Sequence, residues 1–141
     1  MLRIVLDADV IVAALRSVTG GSNAVLREVA LGRLEPQVTP ALFLEYEAVL
    51  KRAEQRLAHK LTLRDIDRFL AALASACEPV EVSFQWRPQL ADPNDELVLE
   101  AAVNGRADVL VTHNVRHFWK AAAMFGLRVL QPGDLLKELR S

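Results

Sequence analysis

A short apolar run that ends abruptly in two carboxylates constrains the fold of this chain more than any other stretch. Residues 4–6 (Ile-Val-Leu) are apolar without alternation, which is typical of a strand buried on both faces in a parallel sheet. Asp7 and Asp9 follow, and apolar residues resume over 10–15, so both acids are predicted at a strand-to-helix turn. Ligands bind beyond the carboxyl ends of parallel strands. A solvated turn carboxylate is the alternative interpretation.

Strand and helix patterns alternate along the rest of the chain. Thr39 before Pro40, Thr62 before Asp65, and Asp92 before Pro93 are typical helix starts, and Ser22 is a further predicted N-cap. Helices are predicted over 23–31, 40–52, 63–76, 93–104 and 115–125 and from 133 onward, and strands near 37–38 and over 78–82, 109–112 and 127–130. This alternation predicts an α/β fold: a three-layer sandwich with a central parallel sheet of four to five strands flanked by helices.

Composition limits the class of protein. The 141 residues fit one domain, 1–141, and 52% of them are hydrophobic, as expected of a folded globule. Cys77 is alone, so an intramolecular disulfide is excluded. Asp7 interrupts the N-terminal apolar run before it could act as a signal peptide, and no window is apolar enough to span a membrane. We therefore expect a soluble, cytoplasmic protein without a membrane partner.

Helical periodicity separates some of the acids. Asp95 shares a helix face with apolar residues three, four and seven positions later, so it is predicted to face inward, whereas Glu96 and Glu100 are predicted to face solvent. A capping role is the alternative for Asp95, and it fully explains Asp92. On the helix from Pro40, Glu45 and Glu47 flank the apolar stripe at similar angles. Periodicity does not choose between them.

Four stretches together resemble the PIN-domain nucleases, in the branch of toxins of toxin–antitoxin pairs. The similarity lies in residues 4–11 (IVLDADVI), 44–50 (LEYEAVL), 92–102 (DPNDELVLEAA) and 111–118 (VTHNVRHF). The family's second motif places a Glu four residues before Val-Leu, which selects Glu45 over Glu47. The resemblance spans nearly the whole chain and implies a PIN-like fold.

The resemblance also implies a metal-dependent ribonuclease, with RNA as substrate and Mg²⁺ or Mn²⁺ as cofactor. Asp7, Glu45 and Asp95 are then the candidate metal ligands and, with Asn114, the candidate catalytic residues. Hard cations of this kind prefer carboxylate oxygens and keep several waters. Candidate auxiliary residues are Asp9, Thr112 and Asp92. An antitoxin protein and a homodimer are the candidate protein partners.

Two positions depart from the family pattern. The residue two after the first Asp is often Asn, and here it is Asp9; the fourth motif often carries Asp, and here it has Asn114. An Asn can coordinate through its carbonyl oxygen, and Asp9 could replace the lost charge. The number of acids near the site is therefore kept while their arrangement differs.

Basic residues offer candidate contacts to nucleic acid, although the formal net charge of −1 gives no general attraction to it. They concentrate in the middle of the chain, at Lys51, Arg52, Arg56, Lys60, Arg64 and Arg68. Such a run is more often a solvated helix face than a binding patch. Lys51, Arg52, Arg116 and His117 are the candidate RNA contacts, with a surface role as the alternative.

Two other functions remain open from the sequence. Asp7 and Asp9 after a strand also fit the nucleophile and acid of a haloacid-dehalogenase-type phosphatase. The later Lys and paired-Asp motifs of that family are absent from the sequence. The second alternative is a non-catalytic PIN-like binding module whose acids serve only as helix caps.

Overall fold

The computed structural model describes residues 1–52, 58–84 and 89–141. Its strands are β1 (Leu2–Leu6), β2 (Leu34–Val38), β3 (Glu78–Pro79), β4 (Val109–Val111) and β5 (Arg128–Leu130). The helices in these residues are α1 (Ala8–Arg16), α2 (Gly21–Ala30), α3 (Pro40–Leu50), α4 (Leu63–Ala76), α5 (Pro93–Asn104), α6 (Val115–Met124) and α7 (Pro132–Arg140). None of these helices has the length and apolar character needed to cross a membrane.

All five strands are parallel, in the order β3-β2-β1-β4-β5. The first strand is central: it pairs with β2 on one side and with β4 on the other, where Leu6 is in register with Val111. Helices flank both faces of the sheet, which confirms the predicted α/β sandwich. From β1 the chain moves to β2 on one side, and from β4 it moves to β5 on the other side. The boundary between β1 and β4 is therefore a topological switch point.

The core explains why β1 and β4 lack alternation. Residues 4–6 and 109–111 are almost fully buried because each strand has a neighbour on both sides and helices above and below. Phe118 of α6 and Leu135 of α7 are also fully buried, so the last two helices pack into the same core as the central strands.

Two of the predicted element boundaries were wrong. Ser22 is not the N-cap of α2, which begins at Gly21 after Gly20; the Ser22 hydroxyl instead hydrogen-bonds Nε2 of His113, at 2.8 Å. The strand predicted over 78–82 is only two residues long. It lies at the edge of the sheet, where Pro79 is tolerated because its missing N–H faces no neighbouring strand.

Candidate functional site

A cleft of about 400 Å³ opens at the carboxyl ends of β1 and β4. Five carboxylates line it, contributed by α1 and the turn before it, by α3, and by the start of α5: Asp7, Asp9, Glu45, Asp92 and Asp95. They come from three separate parts of the chain, and the parallel topology places them at one edge of the sheet. The turn acids of β1 are therefore not isolated solvated side chains.

Asp7 is positioned by the end of β4. Its backbone N–H donates to the carbonyl of Val111 at 2.9 Å, and the hydroxyl of Thr112 donates to its carboxylate at 2.8 Å. Thr112 is fully buried and Asp7 is only 8% exposed. The hydroxyl thus holds one carboxylate oxygen in a fixed direction at the floor of the cleft.

Asp9 and Asn114 are direct partners. Asn114 Nδ2 donates to Oδ2 of Asp9 at 3.0 Å, and the backbone N–H of His113 donates to the same oxygen at 3.1 Å. The backbone N–H of Asn114 bonds the Thr112 hydroxyl at 2.9 Å. Oδ1 of Asp9 is buried and has no hydrogen-bond partner in the described residues. One oxygen of this carboxylate is thus fully engaged while the other lacks a donor.

Asp92 and Asp95, at the start of α5, have different roles in the structure, although the sequence left a capping role open for both. Asp92 is the N-cap and accepts a hydrogen bond from the backbone of Asn94 at 2.9 Å. Asp95 faces inward, as predicted, with a side chain 13% exposed and Nδ1 of His117 at 3.2 Å from its Oδ2. The prediction for Glu96 was wrong: it is half-buried and accepts hydrogen bonds from the backbone of Gln89 and Leu90.

The two acids of α3 have different surroundings. Glu45 lines the cleft, whereas Glu47 is paired with Lys51, Nζ to Oε2 at 3.3 Å. Lys51 also contacts Asp67 at 2.8 Å, so it bridges α3 to α4. The hydroxyl of Tyr46, between the two acids, donates to the carbonyl of Leu6 and ties α3 to β1. This anchor aims the preceding residue, Glu45, toward the end of the central strand.

Burial makes the charged forms of the cleft acids costly. It raises the pKa of Asp7, and together with the neighbouring charge of Asp7 it raises the pKa of Asp9 to about 7. Burial and the charges of Asp7 and Asp92 also raise the pKa of Asp95, against a smaller opposing effect of His117. The cleft carboxylates therefore repel one another, and His117 offsets only part of this effect at Asp95.

The donor set suits a hard divalent cation. Carboxylate and amide oxygens are ligands that Mg²⁺ and Mn²⁺ prefer, and the lining offers both. Oδ1 of Asp9 is also buried without a hydrogen-bond donor among the described residues. Within residues 1–52, 58–84 and 89–141, no three His, Cys, Asp or Glu side chains are close enough to surround one ion by themselves. An ion held here would need waters in its remaining coordination positions, and Mg²⁺ ordinarily keeps several.

Residues 3–116 match the family profile described as the PIN domain. The chain belongs to the PIN-domain family. No curated protein matches the chain at a significant level. PIN domains are in general nucleases that hydrolyse phosphodiester bonds and depend on divalent metal ions. In this PIN domain β5 and α7 lie beyond the matched residues, and they pack on β4 and α2.

The family pattern gives the Asp9–Asn114 pair a simple explanation. Family members often have Asn at the first of these positions and Asp at the second, and this PIN domain has the two exchanged. Because the side chains are hydrogen-bonded to each other, the exchange keeps one carboxylate and one amide at the same place in the cleft. The two departures thus fall on residues that are in direct contact.

The predicted RNA contacts are spread over different surroundings. Arg52 and His117 line the cleft, Lys51 is held by two carboxylates, and Arg116 is exposed outside the cleft lining. Arg56 lies outside the described residues. Sequence reasoning missed Arg16, which also lines the cleft. A signal for it existed, since it lies seven residues after Asp9 and therefore on the same face of α1.

Proposed function

We propose that this PIN domain is a Mg²⁺- or Mn²⁺-dependent endoribonuclease that hydrolyses phosphodiester bonds of single-stranded RNA. The observation that carries the proposal is the convergence of Asp7, Glu45 and Asp95 on one cleft of a domain whose family members are generally nucleases. Acids that only cap helices would not be expected to converge on one cleft. Asp92 makes the side-chain cap hydrogen bond of α5, and Asp7 makes no side-chain cap hydrogen bond to α1.

Each residue has a distinct role in the proposal. Asp7, Glu45 and Asp95 would hold the cation directly or through water, and Thr112 keeps the Asp7 carboxylate in place. Asn114 orients Asp9 by donating a hydrogen bond to its Oδ2. When bound, a divalent ion would supply an activated water and offset negative charge at the scissile phosphate. Asp92 acts indirectly, by fixing the first turn of α5 that carries Asp95.

We further propose that the protein is the toxin of a toxin–antitoxin pair, with an antitoxin as its partner. The support is the similarity of the four motifs to that branch of the family. Expression of the wild type should then arrest growth of a host cell, whereas Asp95→Asn should not. Arrest by both proteins would point to a cause other than RNA cleavage.

Cleavage of a labelled single-stranded RNA tests the enzymatic proposal. We expect products with Mn²⁺ and none with excess EDTA, and full activity in EDTA would contradict the metal mechanism. Transfer of phosphate from a small phosphomonoester to Asp7 would instead support the phosphatase alternative. Metal binding with no cleavage of any RNA would favour the non-catalytic binding module.

Thermal unfolding tests the metal site without a substrate. An ion that binds only the folded state at about ten times its Kd adds about 1.4 kcal/mol. For a domain near this size that raises Tm by about 3–8 °C. Asp7→Asn should lose most of this rise and should be at least as stable as the wild type in EDTA. A destabilised variant beside a wild type indifferent to Mn²⁺ would indicate structural acids only.

A further inference from the structure

The cleft has two ends of opposite charge. Its lining continues from the carboxylates along the groove between α1 and α3 to Arg16 and Arg52. On α1, Arg16 follows Asp9 by seven residues, and near α3, Arg52 follows Glu45 by seven residues. On α1, seven residues are about two helical turns, so Arg16 lies on the same face as Asp9 and about 10 Å farther along the axis. Arg52 lies two residues past the end of α3 and lines the same cleft.

The groove between the two ends is apolar. Val12 and Ala13 of α1 and Val49 of α3 line the cleft between the acids and the arginines. Arg52 stays close to the helix because its backbone N–H bonds the carbonyl of Val49 at 3.3 Å. A chain lying in this groove would meet the carboxylates, then an uncharged stretch, then two cations.

The arginine side chains are available for a ligand. Both are exposed, and within residues 1–52, 58–84 and 89–141 neither is in an ion pair. By contrast, Lys51 is held by Glu47 and Asp67. The helix dipole favours a cation in the last turn of α1, which accounts for Arg16 alone. It does not explain why a second arginine, two residues past the end of α3, lines the same cleft.

We infer that Arg16 and Arg52 bind the phosphate that flanks the scissile phosphate on one side, and so set the register of the RNA in the cleft. The inference rests on the proposed ribonuclease function and adds to it the position of the strand. Phosphates are the charged groups of RNA, and their contacts with Arg fix register and orientation. The apolar groove between the two ends suits the intervening sugar and base. Both arginines are positioning residues, since they lie away from the carboxylates.

A charge-matched experiment tests the register. The variants are Arg16→Gln and Arg52→Gln, with Arg27→Gln as control because Arg27 is also exposed and also in the last turn of its helix, outside the cleft. The substrates are one short RNA with a single cleavage site and copies in which one phosphate at a time is a neutral methylphosphonate. Thermal unfolding of each variant confirms that it is folded.

We expect Arg16→Gln and Arg52→Gln to lower kcat/KM about tenfold, mainly through a higher KM, the size of one charge-assisted contact. Arg27→Gln should stay within about twofold of the wild type. For the wild type, one neutral linkage beside the cleavage site should cost a similar factor. That same linkage should cost less in either single variant, and nothing further in the double variant Arg16→Gln/Arg52→Gln, because both partners of the phosphate are then gone.

Two results would overturn the inference in different ways. In the first, the wild type cleaves RNA while the arginine variants keep the same kcat/KM as Arg27→Gln, or the loss in kcat/KM of each arginine variant multiplies with that of every neutral linkage. In either case the arginines do not bind a flanking phosphate, and the ribonuclease proposal stands. If the wild type cleaves none of these RNAs, the proposed function fails and the inference fails with it.

Discussion

Asp9 in the cleft and Asp65 at the start of α4 accept similar hydrogen bonds, but their pKa values are shifted in opposite directions. Each accepts a backbone N–H at 3.1 Å, from His113 and Thr62 respectively, and each lies beside a threonine hydroxyl. The hydrogen bonds from Thr62 hold the pKa of Asp65 below its usual value. Burial and the charge of Asp7 raise the pKa of Asp9 to about 7.

The difference shows what an acid does in each region. Asp65 and Thr62 form a capping box, in which each satisfies a backbone N–H of the other, so the charge of Asp65 supports the helix. In the cleft, hydrogen bonds of the same kind are outweighed by desolvation and by a second carboxylate. Hydrogen-bond counts alone would not separate the structural acid from the candidate functional one.

The largest expected effect is on catalysis. Asp95→Asn should lower the rate of RNA cleavage at least about a hundredfold, the size expected for the loss of one strong electrostatic contributor. Asp65→Asn is the matched control and should leave the rate unchanged, because Asp65 lies outside the cleft lining. Single-turnover cleavage in Mn²⁺ measures both. Equal activity of the two variants would remove the distinction between the regions.

A second, smaller effect compares two acids on one helix. Glu45→Gln should lower cleavage about ten- to hundredfold because it removes a charged ligand candidate from the cleft. Glu47→Gln should change the rate less than about twofold, since its partner Lys51 retains Asp67. The same cleavage assay serves for both. Loss of activity in Glu47→Gln alone would mean that the wrong acid of α3 has been assigned.

The smallest effect is on stability and has opposite signs in the two regions. The folded state holds the proton of Asp9 more tightly than the unfolded chain does, because the pKa of Asp9 is raised on folding. The protonated Asp9 therefore adds to the free energy of unfolding fully below about pH 4, and this contribution is lost as the pH rises through about 7. We expect the metal-free wild type to lose about 1–2 kcal/mol from this group over that interval, less than the full shift because water screens a partly exposed carboxylate. Asp9→Asn should remove this part of the slope.

Asp65 provides the control for that experiment. Its pKa is lowered on folding, so its contribution is present above about pH 4 and is lost only as the solution becomes more acidic. Asp65→Asn should therefore lower the free energy of unfolding at neutral pH, where Asp9→Asn should raise it. Urea unfolding in EDTA, on either side of neutral pH, measures both variants. A shift of the same sign in both would contradict the comparison.

The sequence predicted those parts of the fold and site that depend on local pattern. The buried runs of β1 and β4, the caps at Thr39, Thr62 and Asp92, and the inward direction of Asp95 follow from periodicity and capping, and the structure confirms them. The strand predicted over 78–82 was too long, because the sequence pattern there carries no information about the place of β3 at the edge of the sheet.

What the sequence could not predict depends on contacts between distant residues. Glu45 and Glu47 differ only in what α3 packs against, so periodicity left them equivalent until the family resemblance selected one. The role of Ser22 was missed because its partner, His113, is 91 residues away. The pairing of Asp9 with Asn114 is equally non-local, although their two departures from the family pattern hinted that they compensate each other.

The central position of β1 has a consequence for the order in which the protein is made. Asp7 directly follows this strand and leaves the ribosome before its partner Thr112, which is 105 residues later in the chain. At about 5–20 residues per second, that interval lasts about 5–20 s. Until residues 109–111 have been made, Asp7 and Asp9 have no β4 beside them. A nascent chain therefore carries the first acids of this cleft before the strand that completes it, and the proposed cleavage activity would arise only after β4 has paired with β1.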